Sequence, residues 1–231
     1  MNKIRYIFFA LFSLLLICCC KKIAVNAIDM RTSEQVVFEI VSHSVTIDMV
    51  TPFGARTIGS GVVVNHPTFG YAVLTAEHVA LAGGPVELDF RACPFNQGSE
   101  CFDLGRNFLM DRDSSIGTDW AIFLVDAIPE GVTAAPIRTD LPSVGEKIIL
   151  SSIPLARTPW VSQGYVAWVW SEMGSPVIGV DGFAFFGSSG GGVYDGKGRL
   201  MGLLSAIEAS EWGPLENKLL VVPIQNMEIF N

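Results

Sequence analysis

The chain has 231 residues, a formal charge of −8 and 50% apolar residues, enough for one domain of about 200 residues or two small, tightly joined ones. Lys3, Arg5, Lys21 and Lys22 are the only charges in residues 1–27, so the remainder carries 11 basic against 23 acidic residues. So acidic a surface repels phosphate backbones, and no basic run follows Lys22 to counter it, which excludes nucleic acid as a partner.

Residues 1–27 read as a targeting segment. Lys3 and Arg5 precede an apolar stretch, Tyr6 to Cys20, closed by Lys21 and Lys22. Fifteen helical residues rise about 22 Å, short of the ~30 Å hydrocarbon core, so a secretory signal fits better than a spanning helix. Val25-Asn26-Ala27 offers a cleavage site, leaving residues 28–231 as the mature domain. Cys18, Cys19 and Cys20 keep a lipid anchor open, although Ile17 stands where a lipidation signal wants a small residue. An uncleaved membrane anchor is the third option. All three place the domain outside the cytoplasm, periplasmic or secreted, with membrane attachment resting on this segment alone.

From residue 35 onward, short runs rich in Val, Ile, Phe and Thr are punctuated by Gly, Pro, Asn and Asp. In chain order the pattern predicts strands over Val36–Val41, Val45–Val50, Thr57–Val64, Tyr71–Thr75 and Val86–Phe90. It continues with Trp120–Val125, Lys147–Ser152, Val161–Trp170, Val177–Val180, Arg199–Ala206 and Leu219–Ile224. No long 3.6-residue period interrupts them, so the expectation is all-β, a barrel or a sandwich. The polar connection from Asp126 to Leu141, with Pro129 and Pro136, divides the strands into two comparable groups. Two β-barrels in tandem follow, one over about 35–128 and one over about 140–226.

Cys93 and Cys101 flank seven turn-prone residues, which fits a hairpin tip closed by a disulfide in an oxidising compartment. Two free thiols are the alternative. No Cys or His pair has metal-ligand spacing, and nothing in the sequence calls for a metal or another cofactor.

The chemistry concentrates in three places. Ser189 sits in Gly187-Ser188-Ser189-Gly190-Gly191-Gly192. A serine hydroxyl becomes a useful nucleophile only with a base, a group to orient that base and donors for the oxyanion. Glycines let backbone N–H groups point inward, which makes the amides of Gly187 and Ser189 candidate oxyanion donors. His78 stands where the apolar run from Tyr71 meets a turn, and imidazole is the side chain best suited to relay a proton near neutral pH. Asp119 opens the apolar run beginning at Trp120. Singly, each residue is more often structural; together they form a nucleophile, a base and its orienter. His43 and His66 lack the strand-end context and read as incidental. The Gly-x-Ser-x-Gly pattern also fits an α/β-hydrolase elbow, but that fold needs its His after the Ser and a helix after the turn. Every His here precedes Ser189, and three glycines start no helix.

On these residues the chain resembles the chymotrypsin-like serine proteases: Thr75-Ala76-Glu77-His78, Asp119-Trp120-Ala121 and Gly187-Ser188-Ser189-Gly190-Gly191 look like their three signature motifs, in the same order. Val144-Gly145-Glu146, Ser162-Gln163-Gly164-Tyr165-Val166, Asp181 and Val222-Pro223-Ile224-Gln225-Asn226 are similar to landmarks of the HtrA/Deg protease domain. The resemblance spans residues 55–226 and implies two six-stranded antiparallel β-barrels, polypeptide substrates and catalysis by His78, Asp119 and Ser189 through an acyl-enzyme. It implies a specificity pocket walled by Phe183, Ala184, Phe185 and Phe186 and by Ser205, Ala206 and Ile207. Phe183 offers no carboxylate for a basic substrate side chain, so cleavage after apolar residues is expected. Ser188 departs from the family, which usually places Asn or Asp there, and it carries no charge with which a new N-terminal amine would pair. A catalytically inactive binding protein on the same fold is the competing expectation.

Overall fold

The computed structural model describes residues 31–82, 88–96, 98–110, 116–156, 158–172, 174–210 and 213–227. The expected targeting segment, residues 1–27, lies outside them. Residues from Thr32 onward belong to one compact unit.

The first element is α1 (Ser33–His43), which corrects the strand expected over Val36–Val41. Its start is encoded locally. Thr32 accepts from the Gln35 amide and the Gln35 side chain accepts from the Thr32 amide, a capping box worth about 1 kcal/mol. Val36, Ile40 and His43 then fall on one face at helical spacing and are buried, while Val37, Phe38 and Val41 fill the outer positions and imitate a strand's apolar run. Thr32 and Gln35 outweigh the β-propensity of the valines.

The first sheet contains β1 (Ser44–Thr51), β2 (Gly54–His66), β3 (Gly70–Thr75), β4 (Asp89–Pro94), β5 (Phe102–Gly105), β6 (Leu109–Met110) and β7 (Ala121–Val125). Its order is β5-β4-β1-β2-β3-β7-β6. It is a curled sheet of seven strands rather than the six-stranded closed barrel expected. The extra strands come from the polar segment 102–110, whose Phe102-Asp103-Leu104-Gly105 alternation is too short to stand out in the sequence. Of the expected strand Val86–Phe90, only Asp89 and Phe90 lie in β4, and residues 86–87 are outside the described set. Cys93 in β4 and Cys101 just before β5 are joined by a disulfide that closes this hairpin.

The second group does close. β8 (Lys147–Ser152), β9 (Trp160–Glu172), β10 (Ser175–Asp181), β11 (Gly192–Asp195), β12 (Leu200–Ser210) and β13 (Gly213–Pro223) form a six-stranded antiparallel barrel, ordered β10-β13-β12-β11-β8-β9. The whole matches a chymotrypsin-like double barrel.

Three cores explain why the strands read as continuous apolar runs. Val63 and Val73 face the interior of the first sheet with Ile47 and Phe123. Ile148, Leu150 and Val221 fill the second barrel. Val62, Val64 and Leu74, on the opposite faces of β2 and β3, pack with Leu200, Leu203 and Val222 and with the inner face of α1. Period-two alternation therefore buries both faces of β2 and β3. This shared core seats the first sheet on the second barrel, with the chemistry-bearing loops along the seam.

Candidate active site

Strand register alone brings His78 and Asp119 together. β3 pairs antiparallel with β7 so that Thr75 lies opposite Ala121. Continuing past that pair, the residues after Thr75 run beside those preceding Ala121, and Asp119 meets the one-turn helix α2 (Glu77–Ala80). Val79 and Ala80 anchor α2 in the first core, which leaves His78 outward. Its Nδ1 lies 2.9 Å from Asp119 Oδ2 and 3.2 Å from Oδ1, and its backbone amide donates to Oδ1 at 3.1 Å. The His78 side chain is 52% exposed and that of Asp119 15%, so the imidazole is open to a substrate while the carboxylate is screened behind it.

Both pKa values move as such a pair requires. The hydrogen bond with Asp119, helped by its charge, raises His78 above its ordinary value against the opposing effect of burial. Burial pushes Asp119 up, but the hydrogen bonds from His78 and Ser205 outweigh it and hold the carboxyl below its usual range. The turn before Asp119 is tied down from the other barrel, since Asn226 donates to Gly117 O at 2.5 Å and to Pro176 O at 2.8 Å.

Ser189 lies between β10 and β11 on a loop stitched to both sheets. Ser60 N donates to Ser189 O at 2.8 Å and Ser60 Oγ to Gly187 O at 2.9 Å; on the other side Gly190 N donates to Leu204 O at 2.7 Å. Gly187 adopts φ 92° and Gly190 φ 81°, left-handed backbone that glycine enters without strain. Phe185 to Gly187 form a turn closed by Ser188 N donating to Phe185 O at 2.9 Å. Leu155 N holds the Phe186 carbonyl at 2.6 Å. In a trans peptide the C=O and the next N–H point oppositely, so this contact aims the Gly187 amide away from Leu155. Among the described residues neither the Gly187 nor the Ser189 amide donates to a protein acceptor. Two unused donors thus flank the serine.

Ser205 on β12 links the two halves. Its hydroxyl donates to Asp119 Oδ2 at 2.5 Å, and its carbonyl accepts from Ser189 Oγ at 3.5 Å. The structure therefore pairs His78 with Asp119 directly and brings Ser189 to them through Ser205. No hydrogen bond joins Ser189 to His78 among the described residues. The sequence placed Ser205 in the pocket wall and missed its contact with Asp119, because 86 residues separate the two and no spacing signals the pairing.

The chain belongs to the trypsin-like peptidase domain family. The family's model matches residues 59–203, which runs from the glycine before Ser60 through all three motifs. Among solved structures the chain is similar to the HtrA-type protease AlgW with a decapeptide, at 17% identity and TM-score 0.65, over 87% of this chain and 68% of that one. It is similar to AlgW with a tripeptide at 18% identity and TM-score 0.64, over 87% of this chain and 62% of that one. At such identity the likeness speaks for the fold, and the chain spans less than two thirds of the tripeptide-bound protein. A search of curated proteins finds no match.

Ser188 shows how this peptidase domain manages without the usual Asn or Asp. Its side chain is buried, and its Oγ accepts from Phe185 N at 3.2 Å and from Ser152 Oγ at 3.1 Å. A neutral hydroxyl bridges the turn to β8, where a charged residue would need a charged partner. Of the pocket residues, Phe183 is 41% exposed and packs against Trp160 with the ring centroids 5.6 Å apart and the planes tilted, and Ala184 is fully buried in the core of the second barrel. Phe185 is half-buried, Phe186 is exposed, Ser205 is buried and Ala206 is half-buried; the side chain of Ile207 lies outside the described set. Asp181 is exposed. The remaining histidines are structural: buried His43 is held by Thr133, and His66 accepts from the Thr68 and Phe69 amides.

Proposed function

We propose that the protein is a serine endopeptidase that cleaves polypeptides through an acyl-enzyme. Ser189 attacks the scissile carbonyl, His78 takes its proton and later gives it to the leaving amine, and Asp119 fixes the imidazole tautomer and stabilises the imidazolium. The amides of Gly187 and Ser189 receive the oxyanion, each such donor being worth about 3–4 kcal/mol in the transition state. The observation that carries this reading is the connected set His78, Asp119, Ser205 and Ser189 beside two amides with no protein acceptor among the described residues. The Ser189 contact with Ser205 O is long for a hydroxyl donor, so swinging the hydroxyl to His78 when a substrate binds gives up little. The test is labelling by a fluorophosphonate probe, with the adduct mapped to Ser189 and lost in Ser189→Ala. An inactive binding protein on this fold predicts an unlabelled serine, and that result would overturn the proposal.

The bond between Cys93 and Cys101 supports an exported protein, since disulfides persist in an oxidising compartment. No helix among the described residues is long and apolar enough to cross a membrane.

Phe183, Phe185, Ser205 and Ala206 offer an apolar wall with no carboxylate, and exposed Asp181 supplies no buried charge at its base. A buried lysine or arginine side chain without a partner is disfavoured. Cleavage profiling on a peptide library is expected to find cuts after Val, Ala or Leu and few after Lys or Arg. Dominant cuts after Lys or Arg would show that Asp181 reaches the pocket.

A further inference from the structure

We propose that a cleft beside Gly187 seats the substrate residues that follow the scissile bond, and that Arg56 makes this cleft select an acidic side chain. The proposal rests on the endopeptidase reading and extends it to a substrate class.

The cleft has a volume of about 480 Å3 and is bordered by Met49, Arg56, Thr57, Ile58, Leu155 and Gly187. Its orientation follows from what it shares with the rest of the site. Of the residues expected to wall the acyl pocket, Phe186 borders it but Phe183, Phe185, Ser205 and Ala206 do not, and Gly187 borders it too, so it is a space distinct from most of that wall that reaches the oxyanion turn. Ala82, in the turn that follows α2, also borders it. The leaving amine receives its proton from His78, and a leaving strand that passes α2 enters this cleft.

The strand geometry that builds the cleft is unusual. Arg56 lies opposite Met49 in the pairing of β1 with β2, so the two share a face. Between Asp48–Thr57 and Ile47–Gly59 the register shifts and Ile58 is inserted as a bulge. In a regular strand Thr57 would point away from the face used by its neighbours. The bulge turns the backbone, so Arg56, Thr57 and Ile58 all border the same space. Met49 and Ile58 provide an apolar floor, and Arg56 stands exposed at its edge.

Charge selects the occupant. Arg91 pairs with Asp48, Arg106 with Asp89, Arg138 with Asp140 and Arg199 with Asp195. Arg56 has no acidic partner among the described residues. In a chain with a formal charge of −8, a guanidinium without an acidic partner among the described residues, on the border of the cleft that Gly187 also lines, is a local reversal of a field that otherwise repels acidic peptides. A carboxylate on the leaving segment matches it, and guanidinium binds carboxylate in a bidentate fork.

The test uses quenched fluorescent peptides with one shared apolar acyl half and Glu, Ala or Lys at the second position after the cut. With the full chain, kcat/KM is expected to be about three- to fivefold higher for Glu than for Ala, and about tenfold higher than for Lys, at low ionic strength. The preference shrinks in high salt. Arg56→Ala removes the difference between the Glu and Ala peptides, and Arg56→Glu reverses it. Equal rates on all three peptides overturn the proposal. Should none be cleaved, the endopeptidase reading fails separately, and anisotropy with the same peptides and the Ser189→Ala protein decides the cleft. Tighter binding of the Glu peptide that Arg56→Glu abolishes supports it; equal or undetectable binding overturns it.

Discussion

Replacing Asp119 by Asn is expected to lower kcat by about 10⁴ with little change in KM or fold. Three donors converge on the native carboxylate: the His78 amide, the His78 ring at Nδ1 and the Ser205 hydroxyl at 2.5 Å. An amide keeps one acceptor oxygen and turns two N–H donors on this cluster. If the oxygen keeps the Oδ1 position, where the His78 amide donates, the NH2 takes the Oδ2 position with its hydrogens facing Ser205 Oγ and His78 Nδ1, which both become acceptors, and the imidazole proton moves to Nε2. That nitrogen can then no longer take the Ser189 proton. The pH profile carries a second signature. The proposed mechanism needs neutral His78, so kcat/KM is expected to rise as pH climbs through the His78 pKa. Asp119 holds that pKa above its ordinary value, chiefly through their hydrogen bond. Asp119→Asn removes the support, so the residual activity should rise at lower pH than in the native protein. Loss of rate without this displacement would mean that Asp119 acts on the fold and not on the imidazole.

The parts of the site legible in the sequence are those where local pattern and chemistry coincide. β8 occupies Lys147–Ser152, as its alternation predicts, and β3 ends where the apolar run from Tyr71 does. His78 and Asp119 stand at strand ends, and the strand register, which a His-Asp-Ser order only hints at, brings them together. What stays hidden depends on pairing across the chain. α1 was misread because Val36, Val37, Val41 and Phe38 supply a strand-like composition, and only Thr32 with Gln35 reveals the helix start. Ser205 was assigned to the pocket wall, yet its hydroxyl reaches Asp119 across the seam. Leu155 has no signature at all; its role comes from a backbone amide, held at φ 57° in the turn between β8 and β9. Side-chain identity constrains a backbone contact only weakly, so neither motif nor composition announces it.

The last glycine-dependent contact yields the second large effect. Gly190→Ala is expected to lower kcat/KM by at least about 100-fold and to lower the melting temperature as well. A Cβ at this position would lie 2.2 Å from Ser60 O and from Thr75 Oγ1, and 2.9 Å from Ala76 N. Two of these are backbone atoms of β2 and of the segment that carries His78, and Thr75 Oγ1 is itself held by Ser60 O at 2.7 Å. None can retreat without moving a strand. At φ 81° the alanine would also resist the left-handed backbone. Relief therefore comes from lifting the Ser189 loop off the first sheet, which breaks the contact of Ser60 N with Ser189 O and draws Ser189 away from His78. A displacement near 1 Å costs about 100-fold in rate when reacting groups must meet in one geometry. Gly196→Ala is the matched control, because its Cβ would enter open space. Near-native kcat/KM and melting temperature in Gly190→Ala would show that the loop does not bear on the first sheet as described, whereas a fall in melting temperature alone would separate its structural contact from the alignment of Ser189.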